Sequence, residues 1–99
     1  MPVYVVATVT IHDRAGYDRY AMGFLPTLKC TGGRLLASDE SPEVLEGQFT
    51  ASKVNLIEFP DREAFQRWYT SDAYQAIMGQ RLEASHADIV LLRGFELPR

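Results

Sequence analysis

The chain has 99 residues, of which 46% are hydrophobic and 23% are charged, the size and composition of one globular domain. Its 10 basic and 13 acidic side chains give a net charge of -3, which argues against binding to nucleic acid or anionic lipid. The single cysteine excludes an internal disulfide, and no apolar run reaches the roughly 20 residues that a membrane span needs. We therefore expect one cytoplasmic domain over residues 1–99, with no nucleic-acid or membrane partner.

The first half of the chain predicts a strand, a helix and further strands. Residues 3–11 are rich in β-branched side chains, and Asp13 is a suitable N-cap for the helix that follows. Because proline lacks an N–H, Pro26 predicts a break and a second short helical piece that begins near Leu25 and ends at Gly32-Gly33. Residues 34–38 and 43–49 are predicted to form a hairpin, and residues 53–59 to continue the sheet after a bend.

The second half predicts two helical pieces and a last strand. Asp61 is expected to cap the first piece, with Phe65, Trp68 and Tyr69 on one face. Ser71 then caps a second piece, in which apolar side chains and Arg81 recur with helical spacing. The last strand is predicted at residues 89–92 and onward to 95.

This order predicts a ferredoxin-like βαββαβ domain of the α+β class, in which helices cover one face of an antiparallel sheet. If the second face of the sheet were exposed to solvent, apolar and polar side chains would alternate along each strand. The alternation is incomplete, because Tyr4 and Val6 lie on one face of the first strand, and Val90 and Leu92 on one face of the last. We therefore predict a homodimer that packs sheet to sheet.

Several motifs resemble a known family, the domain of unknown function family 1330. They occur in this order: Gly32-Gly33-Arg34, Leu45-Glu46-Gly47, Ile57-Glu58-Phe59-Pro60, Trp68-Tyr69, Ser71, Tyr74-Gln75 and Arg81. The resemblance implies the dimeric α/β-barrel type of ferredoxin-like fold, in which two sheets face each other and enclose a cavity. Relatives by fold include cofactor-independent monooxygenases, muconolactone isomerases and haem-binding chlorite dismutases, but fold does not carry function.

Glu58 and Arg81 are the charged candidates for chemistry. A carboxylate among apolar neighbours in a dry cavity can act as a general base, because burial raises its pKa. The alternative is that Glu58 is paired with an arginine and is purely structural. Arg81, on the inward stripe of its helix, is the expected companion of Glu58, or it binds an anionic substrate.

Aromatic side chains are the candidates for ligand contact. Tyr17, Trp68 and Tyr74 could line a cavity for a flat organic molecule, although plain core packing is the commoner role for each of them. His12 ends the second face of the first strand and is a weak acid–base candidate. Two separated histidines do not make a metal or haem site, so we expect no metal and no cofactor.

Taken together, these features predict a homodimer that binds a small organic molecule in a cavity between facing sheets. The chemistry, if there is turnover, would be cofactor-independent proton transfer or a monooxygenase-like reaction. The alternative is a non-catalytic dimeric binding or scaffold domain.

Overall fold

A computed structural model describes residues 1–96 and contains four strands and three helices. The strands are β1 (Val3–Ile11), β2 (Arg34–Asp39), β3 (Lys53–Phe59) and β4 (Ser85–Arg93); the helices are α1 (Arg14–Thr27), α2 (Arg62–Tyr69) and α3 (Asp72–Ala84). All strand pairs are antiparallel, and the order across the sheet is β2-β3-β1-β4. The predicted ferredoxin-like βαββαβ fold is confirmed, with α2 and α3 together forming the second helical segment.

Each helix begins at a capping side chain that the sequence identifies. Asp13, Asp61 and Ser71 each accept a hydrogen bond from the backbone N–H three residues later, which satisfies one of the free donors of the first helical turn. Among residues 1–96, no helix is long and apolar enough to cross a membrane.

Pro26 does not break α1, so the predicted second helical piece that begins near Leu25 is wrong. The helix runs through Pro26 and ends one residue later at Thr27. The missing proline N–H costs a single hydrogen bond at this position, close to the helix end, so the final turn survives. The Thr27 hydroxyl donates a hydrogen bond of 2.6 Å to the Phe24 carbonyl and supports that turn.

The predicted strand at residues 43–49 is also wrong. This segment has no regular structure; Val44 and Leu45 are exposed, and Gly47 has a positive φ of 79°. β2 pairs instead with β3, with a bulge between Leu35 and Ala37. The apolar residues of the segment suggested a strand, but residues 43–49 pair with no strand of the sheet. β4 begins at Ser85, earlier than the predicted start.

One face of the sheet packs against the helices and forms the core. Cross-strand neighbours share a face, which places Val5, Ile57 and Leu91 in one row and Ala7, Asn55 and Ile89 in the next. The buried core is completed by aromatic side chains from the helices and β3: Tyr17, Tyr20, Phe24, Phe59, Trp68 and Tyr74.

The other face of the sheet, which we call the open face, has no helix over it. Its central row, from β2 to β4, is entirely apolar: Ala37, Leu56, Val6 and Val90. The rows on either side mix apolar and polar side chains. Val90 and Leu92 are 54% and 49% exposed. The sheet therefore carries apolar side chains on both of its faces, as the pattern of residues along the strands predicts.

Candidate functional site

A small cavity lies between the sheet and the helices. Its volume is about 30 Å³, and side chains from β1, β3, β4 and all three helices line it. Most of the wall is apolar or aromatic, and the lining side chains with polar groups are Tyr17, Tyr20, Asn55, Trp68, Tyr69, Tyr74 and Arg81. The cavity is on the helix side of the sheet, so the predicted location between two facing sheets is wrong for these aromatic residues.

Tyr74 is the centre of a buried chain of polar groups. Its hydroxyl lies 2.9 Å from the Tyr20 hydroxyl and accepts a hydrogen bond of 3.3 Å from Arg81 Nε. Burial is the main reason that the pKa of Tyr20 is raised, so this hydroxyl stays protonated at neutral pH. The chain crosses from α1 to α3 and fixes the position of Arg81 on the cavity wall.

Arg81 is a buried cation in the wall. The residue is only 7% exposed, and among residues 1–96 no carboxylate forms an ion pair with it. Burial lowers its pKa, but the adjacent Tyr74, Tyr20 and Tyr69 more than offset this, and the net pKa is raised. The guanidinium therefore carries a full positive charge inside an aromatic pocket, an arrangement that proteins rarely leave uncompensated.

Asn55 is a cavity residue that the sequence analysis missed. It lies on the helix face of β3, opposite Ala7, where its neighbours along the strand on that face include Ile57. Its Oδ1 atom is buried and accepts no hydrogen bond from any group in residues 1–96. A polar residue in phase with Ile57 and Phe59 was the signal that could have revealed it. A buried amide oxygen of this kind requires an explanation.

The three predicted ligand-contact residues all line this cavity, and two of them make contacts that also serve the core. Trp68 Nε1 donates a hydrogen bond of 2.9 Å to the Thr27 hydroxyl, and its ring centroid lies 4.1 Å from that of Tyr74. The ring of Tyr17 lies 5.3 Å below Lys53 Nζ. Burial raises the pKa of Tyr17, and Asn55 partly opposes the rise.

Glu58 is not part of the cavity. It lies on the open face of β3, where Oε1 accepts a hydrogen bond of 2.7 Å from Arg34 Nη2. The expected pairing of Glu58 with Arg81 is wrong, because the sheet separates them: Arg81 packs from α3 onto the opposite face. The hydrogen bond from Arg34, and then that from Tyr4, lower the pKa of Glu58, which is the reverse of a general base's requirement.

His12 is exposed just beyond the end of β1. Its backbone N–H donates a hydrogen bond of 3.0 Å to the Ala84 carbonyl. The His12 side chain is not in the cavity lining. The structure therefore brings together Tyr17, Trp68, Tyr74 and Arg81, and it leaves His12 and Glu58 at separate places.

Two surface clefts flank the cavity. The first, which we call the α1 cleft, has a volume of about 120 Å³ and shares Tyr17, Tyr20, Phe24 and Asn55 with the cavity. The second, which we call the β4 cleft, has a volume of about 180 Å³ and shares Val5, Phe65, Tyr69 and Ile89 with it. The cavity alone has room for only one or two water molecules, so an organic molecule would have to occupy a cleft as well.

A family model described as Domain of unknown function (DUF1330) matches residues 2–95. The chain belongs to the DUF1330 family. This confirms the resemblance carried by the motifs between Gly32 and Arg81. No functionally curated protein matches this DUF1330 chain.

Solved structures similar to this DUF1330 protein share its fold at low sequence identity. A protein of unknown function from Rhodopseudomonas palustris is 16% identical, with a TM-score of 0.80 over 97% of this chain and 84% of that one. SnoaB, a cofactor-independent oxygenase from Streptomyces nogalater, is 16% identical, with a TM-score of 0.72 over 97% and 95%. A dimeric ferredoxin-like protein of unknown function from Jannaschia sp. is 16% identical, with a TM-score of 0.68 over 95% and 100%.

The cavity of this DUF1330 protein combines aromatic walls with three kinds of polar group. Arg81 offers positive charge and directional N–H donors, the Asn55 amide offers an acceptor, and the tyrosine hydroxyls can donate or accept. Such a site can orient a flat molecule and stabilise negative charge that it carries or develops.

Proposed function

We propose that this protein binds a small organic molecule on the helix side of its sheet, in the cavity and one adjoining cleft. The observation that carries the proposal is a pair of polar groups in an otherwise aromatic wall: Arg81, which forms no ion pair with a carboxylate of residues 1–96, and Asn55, whose buried amide oxygen accepts no hydrogen bond from them. A buried charge and a buried polar atom each cost free energy unless they are compensated. A ligand that compensates both supplies the missing interactions.

We further propose that the chain forms a homodimer through its open face. The apolar row through Leu56, Val6 and Val90 would be buried between two sheets, and each such side chain contributes about 1.5–3 kcal/mol when it is fully buried. The similar protein from Jannaschia sp. is described as dimeric. In this arrangement each subunit keeps its own cavity, since the cavities lie on the outer sides of the paired sheets.

Chemical turnover is part of the same proposal, of the cofactor-independent kind. SnoaB, a protein of similar fold, is a cofactor-independent oxygenase. Proton transfer from an activated carbon, and attack of oxygen on such a carbon, both pass through an anion that a positioned guanidinium would stabilise. Arg81 would hold that charge, and Trp68 and Tyr74 would hold the ring. The alternative is a domain that binds its ligand without changing it.

Thermal denaturation with a panel of neutral and anionic benzene derivatives tests the binding proposal. A ligand at a hundredfold excess over its Kd stabilises the folded state by about 2.7 kcal/mol. Ala7→Leu, which fills the cavity, should abolish the rise in Tm, and the control Ala37→Leu, on the open face, should retain it. The proposal fails if no compound raises Tm or if Ala7→Leu responds like the wild type. Binding without any change in the recovered compound would favour the non-catalytic alternative.

A further inference from the structure

We infer that the molecule bound in the cavity is an organic carboxylate that also carries an O–H or N–H donor, with the carboxylate on Arg81 and the donor on the Asn55 amide oxygen. This inference rests on the proposed function and specifies its ligand class. It predicts recognition at two points of one molecule, held between aromatic walls.

Arg81 specifies the negative charge. Within residues 1–96 its guanidinium donates one side-chain hydrogen bond, from Nε to Tyr74, which leaves the two terminal nitrogens available. These nitrogens form the flat edge that matches the two oxygens of a carboxylate. Tyr74 holds the guanidinium in place, so little side-chain entropy is lost when an anion binds. A neutral ligand would leave the buried cation uncompensated.

Asn55 specifies the donor. Its Oδ1 atom is buried and has no donor among residues 1–96, and the residue lines both the cavity and the α1 cleft. Only a group with a hydrogen on oxygen or nitrogen can satisfy it. A site with an unused buried acceptor discriminates strongly against an analogue that lacks the donor, because the acceptor then stays unpaired.

The order of the groups from the surface inward gives the orientation. Lys53 lines the α1 cleft, Asn55 lines both that cleft and the cavity, and Arg81 lines the cavity alone. An anion that enters through the α1 cleft therefore meets Lys53 first and Arg81 last. With its carboxylate on Arg81, the molecule would present its far end toward Asn55 and Lys53.

Calorimetric titration with three matched probes tests both contacts on the wild-type protein. The probes are para-hydroxybenzoate, para-methoxybenzoate, which has no donor, and para-hydroxybenzamide, which has no charge. We expect para-hydroxybenzoate to bind about tenfold to hundredfold more tightly than either analogue, the range for a hydrogen bond to a charged or buried group. The indole N–H signal of Trp68, the only tryptophan, should shift in nitrogen–proton correlation spectra and so report binding in this cavity.

Variants assign each preference to its residue. Asn55→Leu should remove the preference for the hydroxyl over the methoxy probe and retain the preference for charge. Arg81→Met should remove the preference for charge, and the control Arg67→Met, an exposed arginine of α2, should change neither. If Arg81→Met does not fold, Arg81→Lys keeps the charge but loses the flat edge, and it should weaken para-hydroxybenzoate by about tenfold.

Each other outcome overturns a defined part of the argument. If para-hydroxybenzamide binds as tightly as para-hydroxybenzoate and shifts the Trp68 signal, the anion inference is wrong and the cavity proposal stands. If para-hydroxybenzoate binds but Trp68 does not shift, the inference is wrong because the molecule binds elsewhere. If none of these probes binds, and no compound of the panel of neutral and anionic benzene derivatives binds either, the proposed function fails together with the inference.

Discussion

Tyr74 joins Tyr20 and Arg81, so the removal of its hydroxyl should cost more than one hydrogen bond. Tyr74→Phe leaves the buried Tyr20 hydroxyl and Arg81 Nε without their shared partner. We expect the free energy of unfolding to fall by about 1–3 kcal/mol, measured by urea denaturation. Tyr20→Phe removes only the first of these two contacts and should cost less.

Tyr69→Phe is the matched control for this comparison. Tyr69 is half-buried, and its hydroxyl makes no hydrogen bond within residues 1–96, so the substitution should leave the unfolding free energy almost unchanged. Equal losses for Tyr74→Phe and Tyr69→Phe would mean that the buried chain contributes nothing specific.

The contacts of Glu58 predict that the free energy of unfolding depends on pH, for a reason unrelated to the cavity. Hydrogen bonds from Arg34 and then Tyr4 lower its pKa in the folded protein below the ordinary value of 4.5. Its contribution is therefore complete above the unfolded value and is lost as pH falls through the lowered folded value. Denaturation at a series of pH values should show a smaller loss of stability toward acid for Glu58→Gln than for the wild type.

Glu83→Gln provides the control, since Glu83 is exposed on α3 and forms no ion pair within residues 1–96. Its acid profile should match that of the wild type. A Glu58→Gln profile parallel to the wild type would contradict the role assigned to the Arg34 and Tyr4 contacts.

For single residues, the sequence predicted the position of a side chain correctly where that position depends only on the helix or strand that contains the residue. Helical spacing placed Arg81 on the buried stripe of α3, and it is buried. The predicted pairing of Arg81 with Glu58 is wrong, and the alternation of side chains along β3 was already enough to exclude it. Ile57 and Phe59 face the helices, so Glu58 between them faces away, and a cation on α3 cannot reach it. Asn55 lies two residues before Ile57 and therefore faces the helices as well, but the sequence analysis did not select it as a candidate.

The junction between α2 and α3 determines where Tyr74 lies. Ser71 accepts a hydrogen bond of 3.1 Å from the Tyr74 N–H and donates one of 2.7 Å to the Trp68 carbonyl, so its hydroxyl joins the two helices. Ser71→Ala should lower the free energy of unfolding by about 1 kcal/mol, measured by urea denaturation, and Ser71→Asp should lower it less. Ser41→Ala, in an exposed turn, is the control; an equal effect there would contradict the capping role.

The elements themselves divide into those set locally and those set by distant partners. Capping side chains and helical periodicity act within a few residues, and all three helix starts were predicted from them. A strand needs a partner, which depends on the whole sheet. Residues 43–49 have strand-like apolar residues, but β3 takes the pairing with β2 that was predicted for them. The segment is a loop even though the outer edge of β2 pairs with no strand among residues 1–96. No local pattern reveals which of two neighbouring apolar segments pairs with β2.

For the molecule as a whole, the incomplete alternation in β1 and β4 correctly indicated that the second sheet face carries apolar side chains. It did not indicate which face holds a cavity. That depends on how far the helices stand from the sheet, which the packing of Tyr17, Trp68 and Tyr74 determines. The helix-side position of the cavity separates two properties that the sequence analysis placed together, since the proposed subunit pairing and the proposed ligand binding would use opposite faces of the same sheet.

This separation predicts that dimerisation can be removed without loss of the cavity. Val90→Glu places a carboxylate in the central row of the open face, where the side chain is already 54% exposed in a single chain, so folding should tolerate it. Sedimentation equilibrium should show a dimer for the wild type and for Leu82→Glu, an exposed change on α3, and a monomer for Val90→Glu. Val90→Glu should still bind para-hydroxybenzoate. A monomeric wild type, or a dimeric Val90→Glu, would show that the open face is not the interface.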